Sequence, residues 1–280
     1  MKKLTLSLSI ALLFLYSCKK SNSGSAPSSN YYLSSVVAIG TATTSNPQSG
    51  QIVDSFNYDT LHRINTYIES DYDSSQFGPE LSTWNIQFIY QGSNSWPSSY
   101  NYSDGGSIGG PYGSHLLSYD AEHRIMRDSC LNGSGDYTDF SYTNNSIVIT
   151  FFDGGTILPA SVNTYFISNG NVSKETLASP QVSSSLGVVN YTYSSIANPA
   201  YHPLIFNSIG PLLTALNLSA GTVDFISQNA WQGTSQAVSV SLPDFLTNYT
   251  LDTDNKGRLS KMTLNSDSSG GWNTILFNYY

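Results

Sequence analysis

Three aspartate–arginine pairs at one spacing are the first residues of this chain whose types could do chemistry: Asp59/Arg63, Asp120/Arg124 and Asp254/Arg258. Two of them lie in near copies of a heptapeptide, "YDTLHRI" from Tyr58 and "YDAEHRI" from Tyr119. A carboxylate, an imidazole and a guanidinium so close together could move protons, or the pair could pin a turn. The third copy, "DTDNKGRL", decides between these readings. It keeps Asp254 and Arg258 but has Gly257 where the others have His62 and His123. A position that takes His or Gly calls for backbone freedom rather than a proton carrier. Asp59 can accept a bond from an N–H two residues on and so begin a turn. Arg63 then stands where the reversed chain brings its guanidinium back to the carboxylate.

Other chemistry is sparse. The histidines His62, His115, His123 and His202 have neither helix-face nor C-x-x-C-like spacing with any partner, so no metal site is expected. Asp252 to Gly257 superficially resembles a calcium loop. It has Lys256 at a ligand position and Thr263 where a bidentate Glu belongs. Gly105-Gly106-Ser107-Ile108-Gly109 spells G-x-S-x-G but lacks the strand–turn–helix setting of a nucleophile elbow, and Cys130 reads as a small half-buried strand residue. "GGSIGGPYG" from Gly105 lacks the Lys and the strand–loop–helix setting of a phosphate loop. Paired carboxylates depend on geometry that a sequence does not show, although Asp71/Asp73 and Asp136/Asp139 read as solvated turn residues. Neither an enzyme nor a cofactor is expected.

The cysteine that carries chemistry is Cys18. Lys2 and Lys3 precede an apolar run from Leu4 to Tyr16, too short to span a bilayer and suited to a signal-peptide core. The run ends in Leu15-Tyr16-Ser17-Cys18, which resembles a bacterial lipobox, so residues 1–17 are read as the signal and Cys18 as the acylated residue. Residues 18–30, rich in Ser, Gly and Asn, read as a flexible tether. Loss of Lys2 and Lys3 takes Lys+Arg from 11 to 9 against 19 Asp+Glu, so the net charge goes from −8 to −10. That balance disfavours nucleic acid and electrostatic docking on anionic lipid, which leaves the acyl chain as the membrane link.

The elements that must position these residues are strands. Aromatic-x-Tyr pairs recur at Phe56/Tyr58, Phe88/Tyr90, Phe140/Tyr142, Tyr191/Tyr193 and Phe277/Tyr279. Residues two apart on a strand share a face, so each pair sets two rings side by side. Turn clusters separate the strands, and Asn169-Gly170 is a hairpin signal within a weaker copy, "YFISNGNVSKE". Ser208, Gly210 and Pro211 followed by Leu212, Leu213, Leu216 and Leu218 predict one short helix over 210–217. The expected fold is all-β. Residues 31–280 form one domain, an antiparallel meander of hairpins making a large twisted sheet or partly open barrel.

"YDxxHRI" and "DxxGRL", each followed downstream by aromatic-x-Tyr, resemble the YD-type repeats of bacterial surface proteins. With the lipobox and the late Tyr191-Thr192-Tyr193…Asn198-Pro199 segment, the chain is similar to envelope lipoproteins of unknown function common in the Bacteroidota. The resemblance spans most of Phe56 to Tyr280 and implies a meandering sheet in the cell envelope. It implies no catalytic residues.

Two functional expectations follow. Trp96, Tyr100, Tyr102 and Tyr112 stand among Ser, Gly and Asn, the materials of adaptable recognition loops, and form the candidate binding surface. The first expectation is therefore a non-catalytic outer-membrane lipoprotein, a scaffold that binds a glycan, a peptide or an envelope protein. The second is a carrier of hydrophobic ligands, its groove covered by residues 201–221. A scaffold requires a filled core. A carrier requires an inward apolar face left unfilled.

Overall fold

The computed structural model describes residues 32–40, 50–73, 80–104, 113–154, 161–178, 185–199, 210–216, 227, 229–237, 245–266, 268 and 272–280. Sixteen strands and a short helix account for most of them. The first eight strands are β1 (Leu33–Gly40), β2 (Gly50–Tyr58), β3 (Ile64–Asp73), β4 (Glu80–Tyr90), β5 (Pro97–Asp104), β6 (Gly113–Tyr119), β7 (Ile125–Cys130) and β8 (Tyr137–Tyr142). Then come β9 (Ser146–Phe152), β10 (Ser161–Ser168), β11 (Asn171–Ala178), β12 (Ser185–Ala197), helix α1 (Gly210–Ala215), β13 (Asn229–Ala237), β14 (Phe245–Thr253), β15 (Leu259–Leu264) and β16 (Thr274–Tyr279).

Every strand pairs antiparallel with its neighbours in sequence, as expected of a meander. The ladder goes one step further than a partly open barrel. β1 pairs with β2 on one side and with β16 on the other, so the hydrogen bonding returns to its start. Closure removes the edge strands that an open sheet would leave exposed.

Side chains alternate across the wall. Val36, Phe56, Ile86, Phe140, Ile149, Ile275 and Phe277 point inward and are buried. Their strand neighbours Gln51, Asn57, Gln87, Asn101, Thr250, Asp252 and Asn278 point outward and are exposed. Helix α1 lies against β7 and β9. Its Leu212 and Leu213 are fully buried, and a bond from Leu216 N–H to the Leu212 carbonyl (2.9 Å) carries the helical pattern past Ala215. Pro211 sits in its first turn, where a missing N–H costs nothing. Of the segment 201–221, only 210–216 lies within the described residues. Residues 1–31, with the expected signal, Cys18 and the expected tether, lie outside them, as does Tyr112.

The repeated heptapeptide is a turn. Asp59 Oδ1 accepts from the N–H groups of Leu61 (2.8 Å) and Arg63 (3.0 Å), and Oδ2 accepts from Arg63 Nε (2.6 Å). Asp120 makes the same set with Glu122 and Arg124, and Asp254 with Lys256 and Arg258. His62 and His123 have φ of 60° and Gly257 has φ of 75°. The shared position therefore takes the left-handed conformation that Gly adopts freely and His tolerates better than most residues. Stacking on aromatic rings accompanies the imidazoles. His62 lies 4.8 Å from the Tyr32 ring and His123 lies 3.8 Å from the Trp96 ring.

The arginine has a second task. Arg63 lies over the Tyr90 ring at 4.2 Å, Arg124 over Tyr142 at 4.8 Å and Arg258 over Tyr279 at 4.1 Å. Most of these tyrosines then latch the wall. The hydroxyls of Tyr58, Tyr90, Tyr119 and Tyr279 donate to the carbonyls of Leu33, Ile64, Pro97 and Leu259, each the first residue of the neighbouring strand. In Phe56/Tyr58, Phe88/Tyr90 and Phe277/Tyr279 the aromatic-x-Tyr motif thus pairs one core ring with one latch ring.

The carboxylates of these turns are held below the ordinary range. For Asp254 the Arg258 side chain is the leading cause, while for Asp59 and Asp120 slight burial is outweighed by bonds from the backbone and side chain of their arginines. Asp59→Ala should lower stability by about 1–2 kcal/mol, since the exposed pair and the lost turn bonds each contribute about 1 kcal/mol or less. Combined with Arg63→Ala, the loss measured by urea denaturation should be less than additive. Strict additivity would mean that the two side chains act independently.

Candidate functional site

Polar side chains on the inner face come together in three tyrosine–carboxylate clusters. On β2 and β3, Asp54 and Glu69 are directly opposed, and the Tyr67 hydroxyl lies 2.6 Å from Asp54 Oδ1 and 3.2 Å from Glu69 Oε2. On β5, β6 and β7, the Tyr100 hydroxyl donates to Asp128 Oδ2 at 2.7 Å and lies 2.9 Å from His115 Nδ1. His115 Nδ1 also stands 2.9 Å from Asp128 Oδ1, while its Nε2 is buried without a hydrogen-bond partner among the described residues. On β11 and β12, the Tyr191 hydroxyl donates to Glu175 at 2.7 Å.

The wall positions these groups by simple alternation. Asp54, Phe56 and Tyr58 are two apart and all face inward, as do Tyr67 and Glu69, and Asp128 and Cys130. Burial pushes the hydroxyls of Tyr67 and Tyr100 well above their usual range, with the adjoining carboxylates adding to the effect. Burial likewise raises Glu69. Among the described residues, the lysines and arginines stand elsewhere. Arg63, Arg124, Lys256 and Arg258 are in turns, and Arg127, Lys174 and Lys261 face outward.

A fourth cluster joins the long β12–β13 connection to the wall. Ser227 Oγ accepts from Val172 N–H (2.9 Å) and bonds the Tyr193 hydroxyl (2.9 Å), and its carbonyl accepts from Asn198 Nδ2 (2.9 Å). Asn171 and Asn229 bond each other twice across the same seam. The Tyr191-x-Tyr193…Asn198-Pro199 pattern therefore ties a connection down.

Among the described residues the outer face carries an aromatic ladder. Tyr137 and Phe152 are opposed on β8 and β9 and stack at 4.3 Å with 12° between their planes. Arg127 caps the Tyr137 ring at 4.4 Å and makes a two-point bond to Asp139 at 2.5 and 2.7 Å. In the same cross-strand row lie Leu116 and Ile89, 53% and 42% exposed.

The expected recognition surface needs correction at Tyr100. Its ring is 0% exposed, a core residue stacked on His115 at 4.4 Å. Tyr102 is half-buried against the core and Trp96 is half-buried on His123. β5 is a strand rather than an open loop, so its even-numbered rings are turned into the barrel. Trp96, Tyr100 and Tyr102 do not form an exposed patch. The inner carboxylates Asp54, Glu69, Asp128 and Glu175 went unseen in the sequence, although for Asp54 and Glu69 the two-residue offset from Phe56 and Tyr67 was an available signal.

Comparison with known proteins places the fold. No family model matches the chain, and no curated protein matches it. A porin-like protein from Bacteroides uniformis shares the fold with a TM-score of 0.55 at 13% identity, covering 89% of this chain and 98% of its own. A porin-like protein from Bacteroides vulgatus aligns at 11% identity with a TM-score of 0.44, over 90% of this chain and 99% of its own.

Proposed function

We propose that the chain is a non-catalytic lipoprotein of the bacterial outer membrane, held by Cys18 and standing off the bilayer on its tether as a barrel-shaped scaffold. The observation that carries this reading is the direction of the barrel's polarity. A barrel that crosses a bilayer turns an apolar band outward and keeps polar groups inside. Here Gln51, Asn57, Gln87, Asn101 and Asp252 face out, with Ile39, Tyr72, Ile89, Leu116 and Phe166 exposed among them, and Val36, Phe56, Ile86, Phe140 and Ile275 fill the inside. The wall suits water, so the membrane link falls to the acyl chain that the lipobox implies. The three matching Asp–Arg turns support kinship with YD-type repeats.

Scaffold is favoured over carrier by the packing. Inward side chains on β1, β3, β4, β5, β7, β9 and β16 are fully buried, and so are Leu212 and Leu213 of α1. The partner, a glycan, a peptide or an envelope protein, would meet the outer face, where the Arg127–Tyr137–Phe152 ladder offers ring edges beside a charged pair. Two measurements test the reading together. Cys18→Ala should abolish labelling by a fatty-acid analogue and move the protein from the membrane to the soluble fraction. Native mass spectrometry of the released protein should show the bare chain mass. Membrane retention with unchanged labelling would refute the anchor, and a stoichiometric co-purified lipid would favour the carrier.

A further inference from the structure

We propose that Asp54 and Glu69 share a single proton inside the barrel, making the fold a proton-sensitive device that tightens in acid and loosens as pH rises. The two residues face each other across β2 and β3, and are 1% and 6% exposed. Between them the Tyr67 hydroxyl, itself fully buried, lies 2.6 Å from Asp54 Oδ1 and 3.2 Å from Glu69 Oε2. A phenol has one proton to donate, and the shorter contact gives it to Asp54. That one proton cannot serve both carboxylates at once, so satisfying all three groups calls for one further proton on the carboxyl pair. A side-chain hydrogen bond between Asp54 and Glu69 needs one proton between two carboxyl groups, and like the bond from Tyr67 it offsets part of the rise that burial imposes on Glu69. One proton shared by the two carboxyls satisfies the whole arrangement, and removing it sets two negative charges side by side in an apolar setting.

The surroundings sharpen the effect. Besides Tyr67, β3 carries Asp71, Tyr72 and Asp73, and the charge of Asp71 opposes ionisation of Glu69. β1 places Val36 opposite Asp54, and β4 places Trp84 opposite Glu69 and Ile86 opposite Tyr67. Glu69 is raised above its ordinary value of 4.5, chiefly by burial. In the unfolded chain the residue loses its proton near 4.5, while the folded barrel keeps it. The stabilisation is therefore complete below 4.5 and is lost as pH rises from there through the folded value. Across that window one retained proton shifts the folding equilibrium about tenfold per pH unit.

The test uses the soluble barrel with its full mature sequence. Only four glutamates are present, Glu69, Glu80, Glu122 and Glu175, so carboxyl-13C labelling of glutamate gives four resolvable titrations. A Glu69 midpoint above 4.5 is expected, assigned by the signal missing in Glu69→Gln. Urea denaturation across the same pH range should show wild type losing stability relative to Glu69→Gln by up to about tenfold per pH unit in the equilibrium constant. If Glu69→Gln fails to fold, Asp54→Asn assigns the signal instead, because its midpoint must move when the neighbouring carboxyl is removed. A Glu69 midpoint at or below 4.5 overturns the proposal, as do parallel pH–stability profiles for wild type and Glu69→Gln.

Discussion

Tyr100→Ala should destabilise the barrel by about 3–5 kcal/mol, the cost of emptying a core aromatic site. The ring is fully buried, sits 6.0 Å from Phe88 and stacks on His115 at 4.4 Å. Its removal also takes the donor from Asp128 and leaves His115 with a cavity on one face. Tyr100→Phe separates the two effects. The ring stays, and the loss should fall to about 1–3 kcal/mol for a buried carboxylate deprived of one bond. Urea denaturation at fixed pH, with an unchanged m-value, measures both. A loss below about 1 kcal/mol for the alanine variant would return Tyr100 to the surface and revive its role in recognition.

Leu213→Ala should cost about 2–5 kcal/mol. The residue belongs to a helix of six residues, too short to be stable alone, so α1 exists because its leucines are packed within the barrel. Leu212 and Leu213 are both fully buried, and the helix lies against β7 and β9. Were the segment instead a lid over a ligand groove, truncation would leave the barrel's stability nearly intact and weaken the binding of an apolar dye. Thermal unfolding of wild type and Leu213→Ala, with and without such a dye, distinguishes the two. A core role predicts a large drop in the transition temperature and no dye-dependent shift.

The sequence by itself determined the local chemistry. An Asp four residues before an Arg, with His or Gly between them, specifies a turn whatever surrounds it, because the bonds from Asp59 to Leu61 and Arg63 are made within one short loop. Two-residue alternation of aromatics with polar residues specifies strands with a wet face and a dry face. Pro211 ahead of paired leucines specifies a helix start. These are short-range consequences of backbone geometry, so they can be read one segment at a time. Which face of each strand became the inside was decided only by closure. Tyr100 could not be told from a recognition residue until β4 and β6 flanked it and turned its ring inward. Asp54 and Glu69, fifteen residues apart, became a pair only through the register of β2 on β3. Each carboxylate read alone is a solvated side chain; what makes them a single protonated unit is burial beside the other, which depends on cross-strand neighbours that no local pattern specifies.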